Sequence, residues 1–441
     1  MKDTTASPAR AATRWLGILF FVTCTVLATL WFLGGAGWQP TEASSPAESK
    51  PANAEQVARG SYLARVGNCA HCHTASGGAA YAGGRAIDTP FGQIVSTNIT
   101  PDRMAGIGGW NAQDFWLAMH HGMAKDGRAL YPAFPYTSFT RISRADSDAL
   151  FAYLQSVPAS TTLRQPHDLR WPYSTQLALR VWRALYFKPA PAIATAPESE
   201  EEKGAYLVQG LGHCMECHSA RNALGALSSS GKGGYVLPGS QWFAPSLGDR
   251  SQGSVADWSL PETVAFLQTG TNGKALASGP MAEVVLHGTQ YLSDSDARAM
   301  AQYLKALPLQ TPATVAGSST PVTPVTPDAT SNAKGATLYA DHCASCHGDH
   351  GEGQAGAYPA LAGNRAVTLA NSNNLVLTVL GGGFAPATHG NPRPFGMPPF
   401  MLKLSDADIA AVLSYIRSAW GNAAAPVSEF DVNTPRRAQA R

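Results

Sequence analysis

Six of the seven cysteines fall into three copies of one spacing: Cys69-Ala-His71-Cys72-His73, Cys214-Met-Glu216-Cys217-His218 and Cys343-Ala-Ser-Cys346-His347. Two thiols three residues apart on one helical turn can reach the two vinyl groups of a single porphyrin. The adjoining histidine then lies beneath the iron as its proximal ligand. From the chain's own Cys and His frequencies, chance supplies one such match in about three of a thousand sequences of this length, so three matches are not accidental. A structural zinc site would need two Cys-x-x-Cys pairs in one small module, and these pairs lie far apart in the chain. A thioredoxin-like pair would need a βαβ setting and no following histidine. A disulfide framework has no partner cysteines left to use. The reading is three covalently bound haem c groups, held by Cys69/Cys72, Cys214/Cys217 and Cys343/Cys346 and ligated by His73, His218 and His347.

A sixth ligand to each iron should come from turn-forming sequence ahead of the last helix of each unit. Met397, in Phe395-Gly-Met397-Pro-Pro, precedes Ser405, and Met281, in Gly279-Pro-Met281, precedes Ser293. Thioether ligation raises the reduction potential of a c-type centre. In the first unit the corresponding stretch reads Tyr131-Pro-Ala-Phe134-Pro-Tyr136, with phenylalanine where methionine is expected, which leaves the position to Met123, His120, His121 or water. Two decoys are set aside. Gly351-Glu-Gly353-Gln-Ala-Gly356 satisfies a dinucleotide pattern but follows a haem histidine rather than a strand. His120-His121 offers two metal donors with no third in view. No phosphate loop, hydrolase elbow or zinc-protease motif is present, and no catalytic residue is assigned.

These sites need scaffolds. The 441 residues suggest about three domains, and 32 basic against 30 acidic residues give a net charge of +2, without the basic excess of a nucleic-acid binder. Before each signature stands a glycine-led stretch beginning at Gly60, Gly204 and Gly335. After it come Ser143/Asp146/Tyr153, Ser293/Asp296/Tyr303 and Ser405/Asp408/Tyr415, with constant offsets. The serines read as helix N-caps and the aspartates as capping-box partners. Internal repetition on this scale means repeated domains. The fold expected is mainly α: three class I-like cytochrome c domains in tandem after an N-terminal transmembrane helix. The boundaries run 1–38 for an anchor or signal segment, 39–56 for a tether, and 57–188, 204–308 and 334–421 for the domains. A Thr-Pro-rich linker covers 309–333 and a tail 422–441. Lys2, Arg10 and Arg14 precede an apolar run from Trp15 to Leu33, so a retained anchor is expected, with the haem domains on the periplasmic side of the cytoplasmic membrane.

The sequence resembles the triheme cytochrome c subunit of membrane-bound bacterial dehydrogenases, such as the quinoprotein alcohol dehydrogenases and the flavoprotein gluconate, sorbitol or fructose dehydrogenases. The resemblance rests on Ser96-Thr-Asn98-Ile-Thr100-Pro-Asp102, Gly106-Ile-Gly108-Gly-Trp110, His121-Gly-Met-Ala-Lys-Asp126-Gly127, Gly212-His-Cys214, Gly279-Pro-Met281-Ala-Glu283 and Trp420-Gly-Asn422. It implies an electron-transfer subunit that takes electrons from a separate catalytic dehydrogenase subunit and passes them to ubiquinone, a terminal oxidase or another respiratory acceptor. It also implies Met281 and Met397 as distal ligands. The catalytic partner could be a flavoprotein, a quinoprotein or a molybdoprotein acting on aldehydes or N-heterocycles. A haem enzyme or gas-binding protein working at an open first haem is the alternative from another class. The segment from Leu169 to Phe187, with Trp171, Trp182, Leu185 and Tyr186, is a further family-like stretch suited to docking on a partner or membrane surface.

Overall fold

The computed structural model describes residues 8–31, 53–228, 233–309 and 329–439. Most of the tether and of the Thr-Pro linker lies outside the described residues. The architecture is mainly helical, and the sheet among the described residues is limited to one three-stranded and two two-stranded antiparallel ribbons of short strands.

Three times the chain builds the same pair of helices. A leading helix (Ala54–Val66; Glu200–Ala205 running into a π-turn Tyr206–Leu211; Ala329–His342) packs on a closing helix (Arg144–Leu154; Asp294–Ala306; Asp406–Ser418). The repeated glycine permits the crossing. A methyl on Gly60 would collide with the Ala149 carbonyl and stand 2.7 Å from Tyr153 Cβ. Gly204 meets Ala299 and Tyr303 in the same way, and Gly335 meets Ala411 and Tyr415. The constant serine-to-tyrosine offset is therefore the distance along each closing helix from its cap to the point where the glycine backbone touches it. Ser143, Ser293 and Ser405 each cap their helix by accepting from the backbone N–H three residues on, at 3.1–3.2 Å.

Only in the third copy does the aspartate complete a capping box, with Asp408 accepting from the Ser405 N–H at 3.1 Å. Asp146 and Asp296 are engaged elsewhere. A basic residue directly before each glycine pairs with the aspartate of its own unit: Arg59 with Asp146, Lys203 with Asp296 and Lys334 with Asp408.

One continuous core serves the first two units: Leu63, Ile107 and Leu150 of the first pack with Leu207, Met300 and Leu304 of the second. The third unit has its own core around Val376, Leu380, Ile409 and Leu413. It meets the second through polar contacts, with Asn374 exchanging two 2.7 Å hydrogen bonds with the Phe243 backbone. Residues expected to be a tail instead form a helix, Glu429–Gln439, laid on the third core through Val432 and tied down by Arg436 to Asp406 at 2.5 Å.

The expected transmembrane helix is not found. The N-terminal helix spans Pro8–Trp31, but among the described residues no helix is long and apolar enough to cross a membrane. A count of uncharged residues suggests a span, whereas crossing requires sustained hydropathy. The helix carries Arg10 and Arg14 in its first two turns, so only the part after them is apolar. The helix lies against a second amphipathic helix, Gln176–Tyr186.

Gly60→Ala should destabilise the protein by about 1–3 kcal/mol, because backbone must shift to admit the methyl. Gly109→Ala, whose added carbon would have 3.9 Å of room, should change stability by under about 0.5 kcal/mol. Urea unfolding of both variants checks this.

Candidate haem sites

Each signature folds into a short helical turn directly after its leading helix: Cys69–His73, Met215–His218 and Ala344–His347. The seven cysteines form no disulfide. Burial pushes the Cys69 and Cys214 thiols up to about 12 and those of Cys217 and Cys343 to about 11. A thioether carries no ionisable proton, so attachment to a porphyrin suits these apolar positions.

The histidines carry the clearest geometric signal. His73 Nδ1 lies 2.7 Å from the Thr97 carbonyl, His218 Nδ1 lies 2.7 Å from that of Pro245, and His347 Nδ1 lies 3.0 Å from that of Pro359. A carbonyl only accepts, so Nδ1 must carry the proton. Burial pulls all three imidazoles below the ordinary histidine pKa, which keeps them neutral. Nε2 is then left with a lone pair on a ring of fixed orientation, as a proximal haem ligand requires.

The accepting carbonyls are themselves held in place. Asn98 donates to the Ser160 and Thr162 carbonyls and accepts from Thr100, pinning the loop that contains Thr97. Asn422 donates to the Leu361 carbonyl and accepts from the Gly363 N–H, bracing the loop after Pro359. Two of the sequence motifs thereby gain a physical role. The glycine decoy belongs to the same site, since the Gly353 N–H donates to the His347 carbonyl at 2.8 Å.

The first two sites abut. The Cys72 thiol lies close enough to help raise that of Cys217. Tyr62 of the first leading helix donates to Asp296 of the second closing helix, and Tyr206 of the second donates to Asp146 of the first at 2.7 Å. Residues inside the signatures cross over as well. Glu216, buried and paired with Arg221 at 2.8 Å, accepts from Thr137 and Ser138 of the first unit at 2.6 and 2.9 Å. His71 faces Glu283 and His287 of the second unit. In the third unit Thr337 stands where the other two have tyrosine, and its hydroxyl donates within its own helix. Sequence reasoning missed Arg59, Lys203 and Lys334 and this tyrosine exchange, although a basic residue before each glycine and a Tyr-Tyr-Thr series two residues after it were available as signals.

On the distal side, Met397 sits on a two-stranded turn, Gly396–Met397 against Gly383–Phe384, and packs on the core that also holds Cys343. Met401 packs there too. Met281 occupies the first turn of the helix Pro280–His287, entered through Gly279 at φ 52°, where a methyl would strike Trp242. Phe134 packs on the core shared by the first two units, against which Cys69 and Cys214 also pack. Met123 is instead enclosed with Ala129, Leu179 and Tyr131 in a cluster apart from Cys69. His120 stacks on Trp116 at 4.2 Å, and neither it nor His121 joins a metal-ligating group among the described residues.

Thiols paired on a turn, a tethered neutral imidazole and a turn-borne thioether define c-type cytochrome units. The cytochrome c family model matches residues 57–158 and 332–420. The chain is 39% identical over 391 residues to the cytochrome c subunit of a quinone-dependent alcohol dehydrogenase from Gluconacetobacter polyoxogenes, covering 86% of this chain and 83% of that one. It is 37% identical over 399 residues to the gluconate 2-dehydrogenase cytochrome c subunit of Pantoea cypripedii, covering 88% and 90%. It is also 38% identical over 397 residues to one of the subunits of nicotinate dehydrogenase from Pseudomonas putida, covering 86% of this chain and 32% of that longer protein. The chain belongs to the family of cytochrome c subunits of bacterial dehydrogenases, and it carries covalently bound haem c.

Tyr62→Phe and Tyr206→Phe should each cost about 1–3 kcal/mol, since each leaves a buried carboxylate short of a donor. Thr337→Val should be close to neutral, and urea unfolding separates the two outcomes. At the first iron, electron paramagnetic resonance should reveal a centre that is high-spin or bis-nitrogen ligated, and Phe134→Met should convert it to a His/Met type. Met397→Leu should lower the potential of one other centre. Three His/Met spectra in the unaltered protein would overturn the assignment at Phe134.

Proposed function

We propose that this protein is a triheme electron-transfer subunit, organised as three cytochrome c domains, that draws electrons from a catalytic dehydrogenase partner and delivers them to ubiquinone or another respiratory acceptor. The observation that carries the reading is the threefold repetition of a buried imidazole whose Nδ1 is tied to a backbone carbonyl beside two thiols. A bound haem c supplies a one-electron carrier. The protein's part is to hold the proximal nitrogen in line, keep water from the apolar side and fix the distance between carriers. The shared core and crossed hydrogen bonds set that distance for the first and second sites. No catalytic residue is assigned, and oxidation of the organic substrate is placed on the partner.

The names of the alcohol and gluconate dehydrogenase relatives favour a partner that oxidises an alcohol or sugar acid. A second reading, a molybdenum hydroxylase partner acting on an N-heterocycle, is favoured by the relation to the nicotinate dehydrogenase protein. The haem domains are placed on the periplasmic side of the cytoplasmic membrane, a reading supported by the basic residues ahead of the N-terminal apolar run. The partner is proposed to dock near the helix Gln176–Tyr186. There Arg180 and Arg183 turn inward, while Leu177, Leu185 and the nearby Trp171 remain exposed.

A pyridine haemochrome assay on mature protein should return three haems per chain, and a ratio of two or fewer overturns the triheme reading. Affinity purification from solubilised membranes should bring down a catalytic subunit whose cofactor, flavin, quinone or molybdopterin, distinguishes the two partner readings. Trp171→Ser with Leu185→Ser should release it while leaving the haem content unchanged.

A further inference from the structure

His71 lies between the two cysteines of the first signature, where haem attachment gives it no task. It reaches instead across to the helix Pro280–His287 of the second unit. There His287 and Glu283, one helical turn apart, hold Nε2 and Oε2 at 3.0 Å. One donor atom from each of His71, Glu283 and His287 lies within 4.8 Å of the other two. Glu283 and His287 are about half exposed, so an ion could enter from solvent.

We propose that His71, Glu283 and His287 form a binding site for a divalent transition-metal ion of the zinc type, bridging the first and second units. Two imidazoles and a carboxylate suit zinc rather than magnesium or calcium, which prefer oxygen donors throughout. Bonds of about 2.1 Å in a tetrahedral shell place ligand atoms about 3.4 Å apart, so the half-exposed side chains need to draw in by about an ångström, with water as the fourth ligand. Among the described residues no other group of three such donors is this close.

One cation already faces the cluster. The Arg85 guanidinium lies 3.5 Å from His71 Nδ1 and donates to the His71 carbonyl at 3.0 Å. It opposes the ion electrostatically and sets the affinity below that of a permanent structural site. The site joins the turn that carries the first pair of haem cysteines to the helix that carries Met281. Occupancy therefore stiffens the contact between two carriers and does not add a catalytic centre.

Titration of the haem-loaded full chain with zinc chloride in a calorimeter should reveal one site per chain of micromolar affinity. His287→Ala and Glu283→Gln should each weaken it at least tenfold, and both positions are exposed enough to leave folding intact. Arg85→Gln should tighten it at least threefold. Zinc should also shift the potential of one or both of the first two haems in the unaltered protein and not in His287→Ala. Absence of binding at millimolar zinc, or binding that His287→Ala and Glu283→Gln leave unchanged, overturns the proposal.

Discussion

The structure depends on three places where a helix backbone lies directly against another helix because no side chain stands between them. At Gly60, Gly204 and Gly335 the leading helix touches the closing helix at its backbone carbonyl and at a tyrosine Cβ. That contact fixes the angle at which the chain leaves the leading helix, and the haem signature begins within ten residues of it. The basic residue before each glycine and the aspartate in the first turn of each closing helix lock the same crossing electrostatically. Turn, thiols and imidazole all inherit their position from this approach, and the loops whose carbonyls orient the first and third imidazoles are braced separately by Asn98 and Asn422.

On that common frame the three units diverge in how they use the aspartate. In the third unit it closes a capping box and the unit is self-contained, with its own core and a C-terminal helix laid over it. In the first two units the aspartate accepts a hydrogen bond from the other unit's tyrosine, and the cores run together. Glu216 and His71, which occupy the variable positions of their signatures, cross the same boundary. The protein is thus a fused pair joined to a more independent single unit, and one mark of this difference is tyrosine in two copies where the third has threonine.

Much of this was legible in the residues. The signatures gave the chemistry, and the serine caps and glycine-led stretches gave the helices that flank it. The fusion of the first two cores was not legible, because a buried leucine looks the same in sequence whether its neighbours lie in its own repeat or in the next. Nor was the acceptor for each histidine, since a backbone carbonyl 24 or 27 residues away leaves no mark on residue type. The N-terminal run misleads because a count of uncharged residues does not show where the helix begins, and Arg10 and Arg14 lie in its first two turns.

The merged core also governs the order of events on a growing chain. The set of residues that share this core, from Leu63 to Leu304, is complete only when the second closing helix has been made. Cys69 packs on a core that residues of the second unit complete, whereas Cys343 packs on one drawn from the third unit alone, so the first haem turn depends on sequence far downstream of it and the last does not.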